Sequence, residues 1–355
     1  MIEQDPNIGE IKAQLQALSQ RLSRPARLLE LCCNRGHDVP LPRLDALLPD
    51  GLSLTHGPSC PVCATPFELV DRAVALVRLH EVTLCTTKDY LTLPGSQTSL
   101  QKLEAEGGNV RVVESALDAL NFAQEHPSRQ VVYFAGGFED LAPMTAMAAL
   151  QSRRREVENF SLLSAHLYLP ALVEHLLGFP GGALAGVLVP AQNCTVTGYQ
   201  VYEQLAEKYN VPMVVCGPQL VDLAQGLHLL VKELAQGHAT VTNQYRRAFT
   251  KEGNFAAGAL LGEVLTPCDQ KWRGLGAIPK SGYSLKARYA ALDAAKFFRL
   301  EGTLVSEYQG CLAQQIYLGQ KCPADCPALG NKCTPRHPLG TPMAGPEGAC
   351  AVQLS

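Results

Sequence analysis

Cysteines in two places give this chain its clearest chemical potential. The first place is the segment HGPSCPVCATP, in which Cys60 and Cys63 form a C-x-x-C motif flanked by prolines. A turn of this kind brings two sulfurs within bonding range, so the pair could cycle between dithiol and disulfide, ligate a metal or fasten the loop. The residues alone leave the redox and metal interpretations open, and a purely structural pair is the third.

The second place is the C-terminal stretch 311–355, which contains five cysteines. Four of them follow the spacing C-x14-C-x6-C-x16-C, namely Cys311, Cys326, Cys333 and Cys350. Four thiolates can hold an iron–sulfur cluster or one zinc ion, and the spacing neither decides between them nor excludes a metal-free tail. The fifth cysteine, Cys322, would give a more zinc-like pattern if it replaced Cys311.

Composition limits the classes of protein to consider. The chain has 355 residues, of which 46% are hydrophobic and 18% charged, and its formal net charge is −3. No basic stripe is evident, which disfavours nucleic acid as a partner. The N-terminus lacks a signal-peptide pattern and the most apolar stretch is interrupted by prolines and charges, so we expect a soluble, cytoplasmic protein without membrane spans. Thirteen cysteines in that compartment indicate metal or redox chemistry.

Short apolar segments alternate with amphipathic ones over the first 236 residues, and this alternation predicts the elements that position the cysteines. The strand-like segments are 27–33, 51–57, 82–87, 109–115, 129–139, 160–168, 184–190 and 211–217. The helical segments are 9–23, 67–80, 116–127, 144–158, 198–210 and 220–237. Such alternation is typical of parallel α/β units. The first strand would deliver Cys32 at its carboxyl end.

The same patterns predict the domain organisation. We expect an N-terminal helical segment at 1–29, an α/β domain at 30–125 that contains Cys32 and the C-x-x-C motif, and a second α/β domain at 126–236. Beyond residue 300 the chain is rich in Cys, Pro and Gly and has no apolar rhythm. Because such a stretch builds little core, a crosslink should order the C-terminal domain at 237–355.

Six segments, in their order and separations, resemble the hydrogenase maturation factor HypD family. They are HGPSCPVCATP (56–66), DYLTLPGSQTSL (89–100), FAGGFEDLAPMTA (134–146), NQYRRAF (243–249), KWRGLG (271–276) and the C-terminal cysteine array. The separation of Cys32 from Cys60 also fits. The resemblance covers nearly the whole chain, and the set is far more specific than any one motif.

The resemblance implies two α/β domains and a third domain with a [4Fe-4S] cluster at Cys311, Cys326, Cys333 and Cys350. It implies a redox scaffold that works with the small chaperone HypC and the cyanide donor HypE to assemble the Fe(CN)2CO unit of [NiFe] hydrogenases. By the resemblance, Cys32 is the iron-facing thiol and Cys60 and Cys63 are the redox pair, with Cys63 also counted as a metal ligand. Electrons would reach the iron through the dithiol and the cluster.

The resemblance also points to three polar residues with catalytic roles, Asp89, Glu139 and His166, which stand at matching positions. Each has a plainer interpretation as a loop cap or a satisfied buried group. Two departures from the family pattern weaken the acid–base set. Arg35 and Gln192 occupy positions where the family has histidine, and neither can transfer protons near neutral pH.

Three functions are consistent with these residues. The first is the redox scaffold for metal-cofactor assembly, and the second is a binding protein that has lost the chemistry, as the missing histidines suggest. The third is an iron–sulfur thiol oxidoreductase that acts on another substrate. The only tryptophan, in the pair Trp272–Arg273, could mark an exposed partner surface or an aromatic packed at a domain junction.

Overall fold

The computed structural model of the chain describes residues 6–31, 42–58, 61–300, 308–346 and 348–354. Within these ranges it contains two parallel β-sheets and one antiparallel hairpin. Helices connect the parallel strands, as right-handed crossover units require. The predicted α/β class with parallel sheets is confirmed.

The secondary structure follows the predicted segments closely up to residue 236. The described strands are β1 (Ala26–Glu30), β2 (Leu52–His56), β3 (Val82–Thr86), β4 (Val110–Val112), β5 (Gln130–Gly137), β6 (Phe160–His166), β7 (Leu184–Pro190), β8 (Met213–Cys216), β9 (Val241–Asn243), β10 (Leu265–Trp272) and β11 (Gly276–Leu285). The described helices are α1 (Pro6–Ser19), α2 (Pro42–Asp45), α3 (Pro61–Ala64), α4 (Phe67–Val77), α5 (Leu100–Ala105), α6 (Ala116–Glu125), α7 (Ala142–Arg154), α8 (Leu169–Leu177), α9 (Cys194–Thr197), α10 (Gln200–Tyr209), α11 (Leu220–Gln236), α12 (Phe255–Val264), α13 (Ala294–Phe297), α14 (Ala313–Tyr317), α15 (Thr341–Ala344) and α16 (Ala349–Val352). In these ranges no helix combines the length and the apolar character needed to cross a bilayer.

The first sheet, sheet A, has the strand order β2-β1-β7-β8-β9, and all its neighbours are parallel. Helices α8 and α10 pack on one face, whereas α1 and α11 pack on the other. Because both faces are covered, β7 and β8 are apolar along their whole length instead of alternating.

The second sheet, sheet B, has the strand order β4-β3-β5-β6, again all parallel. Helices α6 and α7 cover one face, and α4 and α5 cover the other. Serine caps begin two of these helices, since the Ser99 and Ser115 side chains accept hydrogen bonds from the Lys102 and Asp118 amides. Each sheet therefore has its own apolar layers.

Sheet membership crosses the boundary predicted near residue 125. Strands β1 and β2 lie in the same sheet as β7, β8 and β9, while β3 to β6 form the other sheet between them in the chain. The segments 30–125 and 126–236 therefore do not each form a sheet, and β9 joins sheet A from the segment assigned to the C-terminal domain. Apolar periodicity reports local structure and carries no information on which strands pair.

The chain after residue 264 contributes a hairpin and a tail. Strands β10 and β11 pair from Leu265 opposite Leu285 to Trp272 opposite Gly276, a hairpin that the sequence patterns did not predict. The tail, residues 308–346 and 348–354, has short helices and a small apolar cluster that includes Cys333 and Cys350. Helix α15 of the tail packs on α3, which places the tail beside the C-x-x-C segment.

Candidate functional site

The candidate site begins at the carboxyl ends of the parallel strands. Strand β2 of sheet A ends at His56, just before the C-x-x-C segment. In sheet B, β3 leads to Asp89, β5 leads to Glu139, and β6 ends at His166. Because the carboxyl ends of parallel strands share one edge, this topology collects the predicted polar residues where α/β proteins usually bind ligands.

A buried charge pair fixes the ends of β1 and β2. Glu30 and His56 are partners in the strand register, and His56 Nδ1 lies 3.3 Å from Glu30 Oε2. The other ring nitrogen, Nε2, lies 3.2 Å from Asp45 Oδ1. Burial alone would lower the histidine pKa, but the hydrogen bonds to the two carboxylates outweigh it and raise the pKa of His56 to about 9. The imidazolium therefore braces both strands at neutral pH.

The second thiol of the C-x-x-C motif lies on a one-turn helix. Helix α3 begins at Pro61, a residue suited to the first helical position because its missing amide hydrogen has no helical partner. The Thr65 hydroxyl donates to the Pro61 carbonyl at 2.8 Å and closes the turn. Cys63 is only 4% exposed. Since α3 contacts both β5 and α15, this thiol lies where the two sheets and the tail meet.

A cleft of about 600 Å³ lies beside Cys63. Lys88 and Asp89, from the loop after β3, provide charged groups on one side, and Leu141 provides an apolar wall. Residues 344–346 of the tail close another side. The structure thus brings Cys63 and Asp89 to one cleft, although the sequence separates them.

Glu139, two residues before Leu141 of the cleft wall, is fully buried. Its Oε2 accepts a hydrogen bond from the Leu169 amide at 3.1 Å. Burial raises the pKa of this carboxyl to about 8, because a charged carboxylate is poorly solvated there, and the neighbouring amides only partly oppose the shift. Glu139 is thus largely a neutral acid at pH 7, and such a group can donate a hydrogen bond or a proton.

His166 is also buried, at the end of β6 opposite Gly137. Its Nε2 lies 2.8 Å from the Thr145 hydroxyl. Burial lowers the pKa of His166 to about 4, so the imidazole is neutral at pH 7. A β-carbon on Gly137 would lie 2.8 Å from the Leu141 β-carbon and 3.3 Å from His166 Nδ1. The glycine therefore allows the cleft wall and the histidine to approach each other.

The four tail cysteines share one electrostatic neighbourhood. Burial raises the pKa of the Cys350 thiol to about 12, and the Cys333, Cys311 and Cys326 thiols add to that shift. All four are free of disulfides. In the described part of the chain, no three His, Cys, Asp or Glu side chains lie close enough to hold a single metal ion. A four-iron cluster distributes its four thiolates over four metal atoms, so it does not require that closer approach.

The surroundings of these thiols fit an iron–sulfur cluster. A β-carbon on Gly274 would lie 2.9 Å from Cys311 Sγ, and one on Gly340 would be closer still, so two glycines keep space open beside this sulfur. The Leu339 amide donates to Cys333 Sγ at 3.4 Å. Amide donors stabilise thiolates and tune cluster potentials. Four soft thiolate donors with open space suit such a cluster.

Comparison with known proteins identifies the family of the chain. The family described as "HypD: Hydrogenase formation hypA family" matches residues 7–355. The chain belongs to the HypD family. It is 40% identical to Hydrogenase maturation factor HypD of Azotobacter vinelandii over 93% of this chain and 89% of that protein. It is 36% identical to the Escherichia coli K12 protein of the same name, over 97% of this chain and 93% of the relative.

In this HypD-family chain the structure groups the predicted residues unequally. Cys32 and Cys60 lie outside the described residues, so their roles beside Cys63 stay predictions. Cys63 and Asp89 share the cleft, whereas Glu139 and His166 are buried with separate hydrogen-bond partners. The four cysteines of the tail lie near one another.

One departure from the HypD pattern lies next to the buried acid. Gln192 and Asn193 follow β7, where the resemblance leads us to expect histidine and valine. The Asn193 side chain is buried and lowers the pKa of Glu139, against the larger effect of burial. The second departure, Arg35, lies outside the described residues.

The structure decides between the two interpretations of the Trp272–Arg273 pair. Trp272 and Arg273 are both fully buried, so the exposed partner surface suggested for this pair is wrong and the packed junction is correct. The Trp272 indole donates to the Ser281 hydroxyl at 2.9 Å and its ring stacks near Phe138. The only signal in the sequence was the occurrence of a lone tryptophan and an arginine next to glycines that permit a tight turn.

Proposed function

We propose that this chain is a hydrogenase maturation factor that assembles an Fe(CN)2CO-type iron centre. The membership of residues 7–355 in the HypD family is the observation that carries the proposal. Relatives from several bacteria carry the name hydrogenase maturation factor and align over most of their length. In this proposal the iron is cargo, held at Cys32 and shared with a partner protein.

The Cys60 and Cys63 thiols provide the redox change. A disulfide between them takes up two electrons and two protons to give two thiols, and re-formation of the S–S bond releases the two electrons and the two protons again. The position of Cys63 beside a cleft of about 600 Å³ supports this role, because cargo can reach the sulfur from that side. Asp89 in the same cleft supplies a carboxylate near the cargo.

Cys311, Cys326, Cys333 and Cys350 would hold a [4Fe-4S] cluster. When bound, such a cluster supplies one-electron transfer at low potential. The proximity of the four thiols, the glycine-lined space beside Cys311 and the amide donor to Cys333 support this assignment. Helix α15 contacts α3 on one side and α16, which carries Cys350, on the other, and this arrangement supports transfer between the tail and the dithiol.

Glu139 and His166 would handle protons near the cleft. Glu139 is a neutral acid at pH 7 and His166 is a neutral imidazole, because burial disfavours the charged form of each. Two protons accompany reduction of the disulfide, and a buried acid with a pKa near 8 is suited to donate one. Neither residue requires a bound metal for this role.

A small HypC-like chaperone and a HypE-like cyanide donor are the proposed partners. Leu141, at the cleft wall, immediately precedes α7 and is 44% exposed. Met144, in the first turn of α7, is 45% exposed. Exposed apolar side chains beside a reactive thiol suit a surface that a partner covers during assembly. A covered cleft would also exclude water from the iron ligands.

Infrared spectroscopy of an anaerobically isolated partner complex tests the proposal. We expect stretching bands of iron-bound cyanide and carbon monoxide in the complex with the small chaperone. The bands should be absent from a complex made with Cys32→Ala. A partner-loaded wild-type complex without either band would contradict the proposed assembly role.

A second candidate is a binding scaffold without redox chemistry. The glutamine at position 192, where the family has histidine, favours it because glutamine does not transfer protons near neutral pH. This candidate predicts full maturation of the client by Cys63→Ala. Loss of maturation by a folded Cys63→Ala protein would reject it.

A further inference from the structure

A buried arginine joins three segments that meet at the thiol cleft. Arg273 is fully buried, and its guanidinium donates to the carbonyls of Thr65 at 2.8 Å, Pro94 at 3.0 Å and Pro338 at 3.2 Å. Thr65 directly follows α3, Pro94 lies in the loop that begins at Asp89, and Pro338 belongs to the tail. One side chain therefore ties both walls of the cleft to the cysteine-bearing tail.

The Arg273 backbone makes two more links between the same segments. Its amide donates to the Ala64 carbonyl at 2.9 Å, at the residue after Cys63. Its carbonyl accepts from the Thr341 amide at 3.2 Å, at the start of α15. A chain of two hydrogen bonds thus runs from the thiol helix through the arginine backbone to the tail.

The network extends from Thr341 toward the tail cysteines. The Tyr317 hydroxyl lies 2.6 Å from Thr341 Oγ1, and both residues are fully buried. The Tyr317 phenol lies near enough to Cys63, Cys311 and Cys350 to interact electrostatically with all three. Tyr317 therefore lies near Cys63 as well as near two of the tail cysteines.

The guanidinium also stacks over an aromatic ring. Its central carbon lies 4.0 Å from the centre of the Phe67 ring, which in turn lies 5.8 Å from the His337 ring of the tail. The guanidinium group is planar, and this shape lets it stack on the ring and donate three hydrogen bonds in fixed, fork-like directions. Lysine retains the charge and most of the stem length but lacks the fork.

We propose that Arg273 is a positioning residue that holds the Cys63 helix at a fixed place relative to the tail cysteines. The proposal deepens the proposed function, since transfer of electrons between the tail and the thiol depends on that placement. Its direct evidence is the convergence of three carbonyls and two backbone hydrogen bonds on one buried residue.

The test compares two ways of reducing the Cys63 disulfide in anaerobic, iron-loaded protein. Dithionite donates single electrons, which under the proposed function would reach the disulfide through the tail. Dithiothreitol instead exchanges directly with the disulfide. The amount of Cys63 alkylated by iodoacetamide, measured by mass spectrometry, reports the free thiol after either reductant. In Arg273→Lys we expect the dithionite-driven rate to fall at least about tenfold, because small misplacements of reacting groups have large kinetic effects. The dithiothreitol-driven rate should stay within about twofold of the wild type.

Arg247→Lys is the matched control. Arg247 stacks over Tyr245 at 4.0 Å and pairs with Asp222, and both of these partners lie outside α3 and the tail. Both rates should be unchanged in this variant. If Arg273→Lys does not fold, Thr341→Val is used instead, because it removes the Tyr317 contact with little change in volume and should slow only the dithionite route.

Hydrogen exchange provides a second readout that does not depend on electron transfer. Arg273→Lys should increase exchange at the amides of Arg273 and Thr341 while the strands of both sheets stay protected. A variant with wild-type dithionite-driven rates and wild-type exchange at these amides would overturn the inference. If the wild-type protein itself shows no dithionite route, the proposed function fails, and exchange alone then decides the positioning role.

Discussion

The two sheets and the cysteine tail are stabilised by different means. Each sheet is covered on both faces by helices, and each face has a large apolar cluster. The tail has a small apolar cluster of its own with six buried residues. Two of these residues are cysteines that the proposed iron–sulfur cluster would use. Helices of four or five residues are not stable by themselves. The sheets are therefore ordered by their apolar layers, whereas the tail beyond Leu318 has little apolar packing of its own, and under the proposed function its cysteine ligands and Arg273 would order it.

The strongest test of this comparison removes one ligand from the tail. In Cys333→Ala we expect bound iron to fall to background and the amides of residues 326–352 to lose protection from hydrogen exchange. The strands of sheet B should keep their protection, because the apolar layers of that sheet contain none of the described tail residues. Iron analysis and exchange mass spectrometry measure both effects.

Cys322→Ala is the control for this ligand variant. Cys322 is exposed and its sulfur contacts Asp325, and it is left out of the proposed ligand set. The variant should retain wild-type iron and wild-type protection. Loss of iron from Cys322→Ala with retention in Cys333→Ala would show that the ligand set is wrong.

The next test removes the thiol at the border of the two regions. Cys63→Ser should abolish maturation of the hydrogenase. The variant should stay folded and retain the iron that the tail cysteines are proposed to bind. A buried hydroxyl in place of a thiol should reduce the free energy of unfolding by about 1–2 kcal/mol. Hydrogenase activity of cells that carry the variant and thermal unfolding of the purified protein check the two expectations. Cys268→Ser, a half-buried cysteine on β10, should keep full activity.

A third test concerns the sheet region alone. Glu139 has an ordinary pKa of 4.5 and a folded-state pKa of about 8. As pH rises through this interval, the unfolded state releases the proton while the folded state retains it, so the free energy of unfolding falls by as much as about 4 kcal/mol. Glu139→Gln mimics the neutral form. As the pH rises from 5 to 8, the sheet B amides of this variant should therefore lose less protection from hydrogen exchange than those of the wild type. Identical pH dependence in both proteins would contradict the buried neutral acid.

A smaller effect of pH is expected at the brace between β1 and β2. The folded-state pKa of His56 is about 9, above its ordinary value of 6.5, so its stabilisation is complete below pH 6.5 and is lost as pH rises through 9. The change should be less than about 3 kcal/mol, because Asp45 is partly exposed to solvent. Exchange of the β1 amides in wild type and His56→Gln measures it. Iron content should not change, and an iron loss in this variant would break the distinction between the two regions.

Much of the α/β region could be predicted from the sequence. Buried parallel strands such as β7 and β8 are continuous apolar runs, and amphipathic helices such as α4 have a clear period. The pairing of β1 with β7 could not be predicted in this way, because partners far apart in the chain leave no local pattern. The hairpin of β10 and β11 was missed since its burial is irregular and Pro267 interrupts the first strand.

The candidate site was predictable in its residue types but not in its grouping. Cysteine spacing identified Cys63 and the tail thiols, and the resemblance to the HypD family identified Asp89. The burial of Arg273 depends on carbonyls at positions 65, 94 and 338, and only the folded chain brings these together. An arginine is ordinarily exposed, and the sequence left a partner surface and a packed junction equally open for the Trp272–Arg273 pair.

Mössbauer spectroscopy with iron and sulfide analysis of the anaerobically isolated, cargo-free protein tests the central claim most directly. The account predicts about four iron atoms per chain, with the spectrum of one four-iron cluster. Zinc in place of iron, or iron without sulfide, would contradict the claim that the four tail thiolates hold a cluster beside Cys63.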